Sequence, residues 1–171
     1  MKVDSWYIGI AAEAFAAALF ARCGYNVSVQ YGANQPEYDL MVAKGDDLFM
    51  KVSVKGSQDG AWGLTQSYKR GNTYFEATDK WLEKHGKKTV FCLVQFKGVE
   101  PLAMPRVYLA LPREIGDELN KSRNGNGETV LREYHAWKQG IGSGSIDAIP
   151  QHWQFSVERI EQLLGMINKA D

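Results

Sequence analysis

From 36 to 57 the chain reads PEYDLMVAKGDDLFMKVSVKGS, two short apolar runs on either side of a polar turn at 44–47. Successive side chains of a strand point to opposite faces. Met50, Val52 and Val54 therefore share one face, and Lys51, Ser53 and Lys55 share the other. The pattern predicts strands near 38–43 and 48–55, closed into a hairpin at Gly45. Before them, residues 5–23 are apolar on nearly every side (Ile8, Ile10, Phe15, Leu19, Phe20 and many alanines), with Glu13 as the one acid. Asp4 or Ser5 caps this predicted helix and Gly24 stops it. An all-round apolar helix predicts burial, and its alanine-rich faces allow strands to approach closely.

Alternation over 26–31 predicts a strand, followed by a turn at Asn34, Gln35 and Pro36. Residues 56–63 form a glycine-rich loop holding Trp62. Thr73 and Glu76 have the spacing of a capping box, which opens a helix to about His85, ended by Gly86. The apolar run 89–96 predicts a central strand, 106–111 another, and Pro112 begins a short helix to about Leu119. Stretches 122–127 and 140–145 read as mobile loops. Ser156 caps a last helix to about Ile167, with an apolar stripe of Val157, Ile160, Leu163, Leu164 and Ile167. The order is helix, three strands, helix, strand, then additions. It predicts one α/β domain over 1–171, a mixed sheet flanked by helices. The core spans about 5–111, and a C-terminal extension with helical content spans about 112–171.

Composition adds exclusions. Twenty basic and twenty acidic residues cancel, so any nucleic-acid contact comes from a local patch and not from a global field. Cys23 and Cys92 make no disulfide framework, and His85, His135 and His152 lack zinc-ligand spacing. The apolar stretch 6–21 is interrupted by Glu13, is preceded by Asp4 and lacks a cleavage signature, and no run is long enough to span a bilayer. A cytoplasmic protein without membrane contact is expected.

Lysines on a buried-looking strand require negative partners, because an unpaired buried charge is costly. Asp39 on the neighbouring strand and Glu13 on the first helix are the candidates. Either a structural ion pair or a catalytic cluster accounts for them. Lys55 also has the reading of a lysine that protects a sheet edge.

The α-β-β-β-α-β order resembles the PD-(D/E)XK nuclease superfamily, the restriction-endonuclease-like fold that includes Holliday-junction resolvases and some homing endonucleases. The resemblance rests on Glu13 in the first helix, Asp39 on the second strand and Lys55 on the third, and covers about residues 5–96. It implies a metal-dependent DNA endonuclease. Asp39 becomes the main metal ligand, Glu13 a second ligand or the holder of a water at the metal, and Lys55 the group that orients or deprotonates the attacking water. Hard oxygen ligands suit Mg²⁺, with Mn²⁺ as a substitute. The chain departs from the pattern at Ser53, where the family has Asp, Glu or Gln two residues before the lysine. A catalytically inactive member that binds nucleic acid or protein is therefore the alternative. Ser53 and Gln66 are possible supporting residues, and Trp62, Lys69 and Arg70 are candidate DNA contacts. Two strands of a duplex call for two active sites, so a homo-oligomer is expected.

Overall fold

The computed structural model describes residues 3–30, 37–86 and 88–169. In chain order the elements are α1 (Ser5–Arg22), β1 (Asn26–Val29), β2 (Leu40–Lys44), β3 (Leu48–Ser57), β4 (Ala61–Gly63), α2 (Tyr74–Leu82), β5 (Thr89–Gln95), β6 (Arg106–Ala110), α3 (Pro112–Gly125), β7 (Val130–Arg132), β8 (Tyr134–Ala136), β9 (Ile146–Ala148) and α4 (Val157–Asn168). The protein is mixed α/β, and its residues group into two compact units. Residues 1–59, 87–111 and 152–171 form the first, and 60–86 with 112–151 form the second. Helix α4 thus belongs with the N-terminal elements and does not form one C-terminal addition with α3. The turn at 34–36 and the end of the first predicted strand at Tyr31 lie outside the described residues.

The first unit holds a five-stranded sheet in the order β1-β2-β3-β5-β6. Every neighbouring pair is antiparallel except β3 and β5, which run parallel with Lys51 opposite Thr89 through Ser57 opposite Gln95. Parallel pairing requires a long crossover, which residues 58–88 supply. The β2–β3 hairpin turns at Gly45, whose φ of +65° is a left-handed value that glycine adopts without a Cβ clash. The β3 register with β5 is unbroken, so Ser53 and Lys55 share a face, as do Val52 and Val54. On the latter face Val52, Val54 and Cys92 join one apolar core with Ala12, Ala16 and Phe20 of α1 and Ile160 and Leu163 of α4. Helix α4 follows its predicted stripe, capped by Ser156 on the Arg159 amide. It also buries Arg159, whose Nε donates to Leu109 O at 3.2 Å and Nη1 to Gln162 Oε1 at 2.8 Å.

Helix α1 has the predicted cap, with the Asp4 carboxylate accepting the Trp6 N–H at 2.8 Å, but not the predicted burial. Only Ala12, Ala16 and Phe20 are buried, while Trp6, Tyr7 and Ile10 stay 65%, 59% and 48% exposed. Apolar composition does not bury a helix that meets its sheet along one side. That side fits tightly, because a Cβ on Gly56 of β3 would lie 2.8 Å from the Ile8 carbonyl oxygen and 2.9 Å from the Ala12 Cβ. Among the described residues, no helix is long and apolar enough to cross a membrane.

In the second unit β4 pairs with β7, and β8 with β9, each as a separate antiparallel ribbon. The capping box forms as predicted, with Thr73 Oγ1 accepting the Glu76 N–H at 3.1 Å and the Glu76 carboxylate accepting the Thr73 N–H at 2.7 Å. Segment 122–127 is a built corner where a loose loop was expected. Arg123 and Asn124 take left-handed φ values of +54° and +58°. Arg123 donates from Nε and Nη2 to Gly127 O at 2.9 and 2.7 Å and lies 4.5 Å from the Tyr74 ring centre.

The Gly56 contact predicts opposite effects of two glycine substitutions. Gly56→Ala forces a methyl group against a backbone carbonyl and destabilises by about 1–3 kcal/mol. Gly9→Ala, in helix α1 with nothing within 4 Å of the new carbon, stabilises by about 0.5–1 kcal/mol through helix propensity. Urea unfolding of both variants measures the contrast.

Candidate active site

Asp39 sits just before β2 and is bound into β3. Its N–H donates to Val52 O at 2.8 Å, and its Oδ2 accepts the Val54 N–H at 2.6 Å. The carboxylate thereby stands in for a backbone carbonyl at the end of the ladder. These contacts engage the backbone of Asp39 and its Oδ2. The Asp39 carbonyl oxygen in turn accepts the Gln30 N–H at 2.9 Å, so strands on both sides hold this residue.

Glu13 is half-buried next to Ala12, the α1 residue pressed against Gly56. Burial raises its carboxyl above the usual carboxylate value, the like charge of Asp39 raises it further, and Lys55 pulls it part of the way back. The three groups named in the sequence therefore act on one another electrostatically. Lys55 is exposed and lies past the end of the β2 pairing, which stops at Val52, so at this position β5 is the strand partner of β3. Lys51 is engaged elsewhere, with Nζ 5.2 Å from the Tyr38 ring centre. Ser53 is buried at 4% exposure, on the Lys55 face of the strand.

With all three groups ionised, two carboxylates and one ammonium leave one negative charge in excess. A cation would offset the repulsion from Asp39, which after burial is the second cause of the raised Glu13 carboxyl. Among the described residues no group of three His, Cys, Asp or Glu side chains is placed to hold a metal, and the carboxylates that the sequence offers as ligands are Asp39 and Glu13. That set fits Mg²⁺, which keeps most of its waters and takes one or two carboxylates. It does not fit zinc, which asks for nitrogen or sulfur ligands.

The remaining sequence candidates lie in the second unit. Trp62 is 3% exposed, and an indole packed inside offers no face to a base, so it is withdrawn as a DNA contact. The Lys69 ammonium is occupied, donating to Asn72 O at 2.8 Å and lying 4.6 Å from the Tyr74 ring centre. Arg70 is exposed, and Gln66 is exposed at the start of a 3₁₀ turn, Gln66–Tyr68, with its side chain over Gly63. The sequence reading overlooked the Val54 N–H that fixes Asp39 and the glycine directly after Lys55. A glycine inside an apolar strand is the signal for such a close approach. Comparison with protein-family models and with curated proteins finds no match for this chain.

The charges make a titration test of the site. In solution NMR the Glu13 carboxyl titrates above the ordinary glutamate value of about 4.3. Asp39→Asn moves the midpoint down, and Lys55→Met moves it up. Because the folded-state value is raised, folding takes up a proton between the unfolded and folded midpoints. Stability thus falls as pH rises through that window, and Glu13→Gln removes the fall. A Glu13 midpoint indifferent to both neighbours disproves the cluster.

Proposed function

We propose that the protein is a metal-dependent DNA endonuclease hydrolysing phosphodiester bonds at Glu13, Asp39 and Lys55. The observation that carries the reading is the Glu13 carboxyl, raised first by burial and further by Asp39, and drawn back by Lys55. An acid on the first helix is acted on by an acid just before β2 and a lysine on β3, in the order the PD-(D/E)XK resemblance requires. The parallel β3–β5 pairing supports a restriction-endonuclease-like core.

In this reading Asp39 and the ionised Glu13 would hold Mg²⁺, with Mn²⁺ as a substitute. Once bound, the ion supplies Lewis-acid stabilisation of charge building up on phosphate oxygens. The chain's own groups do the rest. The Val54 N–H fixes the Asp39 carboxylate in one orientation, which preorganises the site. The Lys55 ammonium orients the attacking water and offsets charge on the phosphate. Glu13 gives up its proton when a cation arrives, so binding tightens as pH rises through its raised midpoint. Arg70, exposed and cationic, is a phosphate contact in this reading, and two copies of the chain serve the two strands of a duplex.

Ser53 favours a second reading, a catalytically inactive member of the fold that binds nucleic acid or protein. Its hydroxyl brings no charge to the position where the family carries a carboxylate or amide. The test compares Mn²⁺ binding by calorimetry and supercoiled-plasmid nicking in Mg²⁺ for the unaltered chain, Asp39→Ala and Ser53→Glu. The nuclease reading expects Asp39→Ala to abolish metal binding and nicking. Ser53→Glu strengthens both and, being buried, lowers stability when metal is absent. If folded Ser53→Glu binds no more metal and cuts nothing, the binding-module reading takes over.

A further inference from the structure

Helix α1 is apolar on both sides, yet the fold covers only one of them. Ala12, Ala16 and Phe20 are buried, while Trp6, Tyr7, Ile10, Ala14, Ala18 and Ala21 are exposed. At about 3.6 residues per turn these exposed positions fall within about 120° of one another. They form one uncharged stripe along the helix. The Trp6 and Tyr7 rings meet edge to face with centres 5.0 Å apart, a raised aromatic end on an otherwise low surface. A helix that is apolar all round belongs in an interior, and this stripe is the part of α1 that the chain's own sheet leaves uncovered.

The stripe is graded in size and flanked by charge only at its ends. Its N-terminal half carries the large side chains Trp6, Tyr7 and Ile10, and its C-terminal half only the methyl groups of Ala14, Ala18 and Ala21. Asp4 caps the start of the helix, Arg22 ends it, and both are exposed. They lie about five turns apart and therefore flank the stripe on the same side. A two-fold axis beside the middle of the helix, perpendicular to it, lays a second α1 antiparallel on the first and keeps that side in common. Trp6, Tyr7 and Ile10 of each copy then meet alanines of the other, with Ala14 of both copies near the axis. Each Asp4 comes beside the Arg22 of the other copy, and opposite ends of the two helix dipoles lie together. A parallel pair would instead set aromatic against aromatic and Asp4 against Asp4.

We infer that the exposed stripe of α1 is a self-association surface whose occupant is the same stripe of a second copy of this chain, laid antiparallel. Size and charge both match themselves under the two-fold axis, which an unrelated partner would not require. Glu13, Asp39 and Lys55 take no part, so the pairing does not rest on the nuclease reading; it supplies a contact for the two copies which that reading calls for. A membrane surface fits poorly. Helices that lie in a bilayer interface are rich in Lys and Arg on their polar face, and α1 has Arg22 alone. One helical stripe about 27 Å long offers less than the about 800 Å² per partner of a standard interface. The dimer therefore exchanges with monomer at micromolar concentration.

The test is sedimentation equilibrium of the full chain over a micromolar-to-millimolar concentration series, for the unaltered protein, Ala18→Glu and Arg22→Glu. Position 18 is exposed, and a glutamate there gains Arg22 as its i,i+4 partner. Ala18→Glu therefore keeps its fold, which circular dichroism and urea unfolding verify. The unaltered chain forms dimers. Ala18→Glu weakens association about tenfold or more, because it buries a charge against the Tyr7 ring of the second copy. Arg22→Glu weakens association severalfold at low salt and matches the unaltered chain at high salt. A monomer at every concentration overturns the inference. So does a dimer that folded Ala18→Glu leaves intact, which is held by another surface. A dimer indifferent to Arg22→Glu at low salt overturns the antiparallel pairing. Both variants keep the Glu13 titration of the unaltered protein, so each of these outcomes leaves the charge cluster and the nuclease reading to their own tests.

Discussion

The close approach of α1 to β3 is the contact on which the candidate site depends. Gly56 has no side chain, and the Ile8 carbonyl and the Ala12 methyl take up the space where one would be. A helix laid this close to a strand brings its next residue, Glu13, into range of charges on β2 and β3. A larger residue at 56 or at 12 would hold the helix off and loosen the electrostatic coupling of Glu13 to Asp39 and Lys55. The small residues of α1 are therefore geometric requirements more than sources of hydrophobic energy, since alanine buries little area.

Fixing of Asp39 works by a different device. A carboxylate at the end of a strand that accepts a neighbouring backbone N–H satisfies a donor the ladder leaves over. Val54 has its amide occupied this way at 2.6 Å, so rotation of the Asp39 side chain carries the cost of an unmade hydrogen bond. Helix approach and strand-end capping together bring the two acids into electrostatic range of each other. Burial raises the Glu13 carboxyl most, and the like charge of Asp39 raises it further.

Features set by local chemistry were legible in the sequence. The Thr73–Glu76 box, the Ser156 cap, the turn at Gly45 and the strand faces of β3 each follow from residues within a few positions of one another. What failed had a non-local cause. Nothing in the composition of α1 distinguishes the side that meets the sheet from the side that carries Trp6 and Tyr7, because alanine and aromatic residues are spread around it. Trp62 beside Lys69 and Arg70 looked like an open basic-aromatic patch, yet pairing of β4 with β7 places the indole inside. Residues 122–127 had loop composition. Their order comes from Arg123 reaching Gly127 and Tyr74, and from its amide meeting Asp147, which is 24 positions away. Glu13, Asp39 and Lys55 were readable as candidates because acids and lysines are conspicuous in apolar elements. Gly56 and the Val54 amide, which position them, carry no chemistry of their own to notice.

Serine at position 53 has a physical logic within the proposed site. The residue is buried, on the strand face it shares with Lys55. A glutamate there would add a third carboxylate to a cluster already in excess by one negative charge, with little water to screen it. Burying that charge costs free energy in the metal-free protein and returns it only when a cation is bound. Serine avoids the cost and forgoes the ligand. In the proposed site, serine would trade cation affinity for stability of the fold. A site built on two carboxylates depends correspondingly more on Glu13 being ionised, because one protonation removes half of its anionic ligands. In the proposed site, control by proton and by cation would therefore meet at the same half-buried side chain on α1.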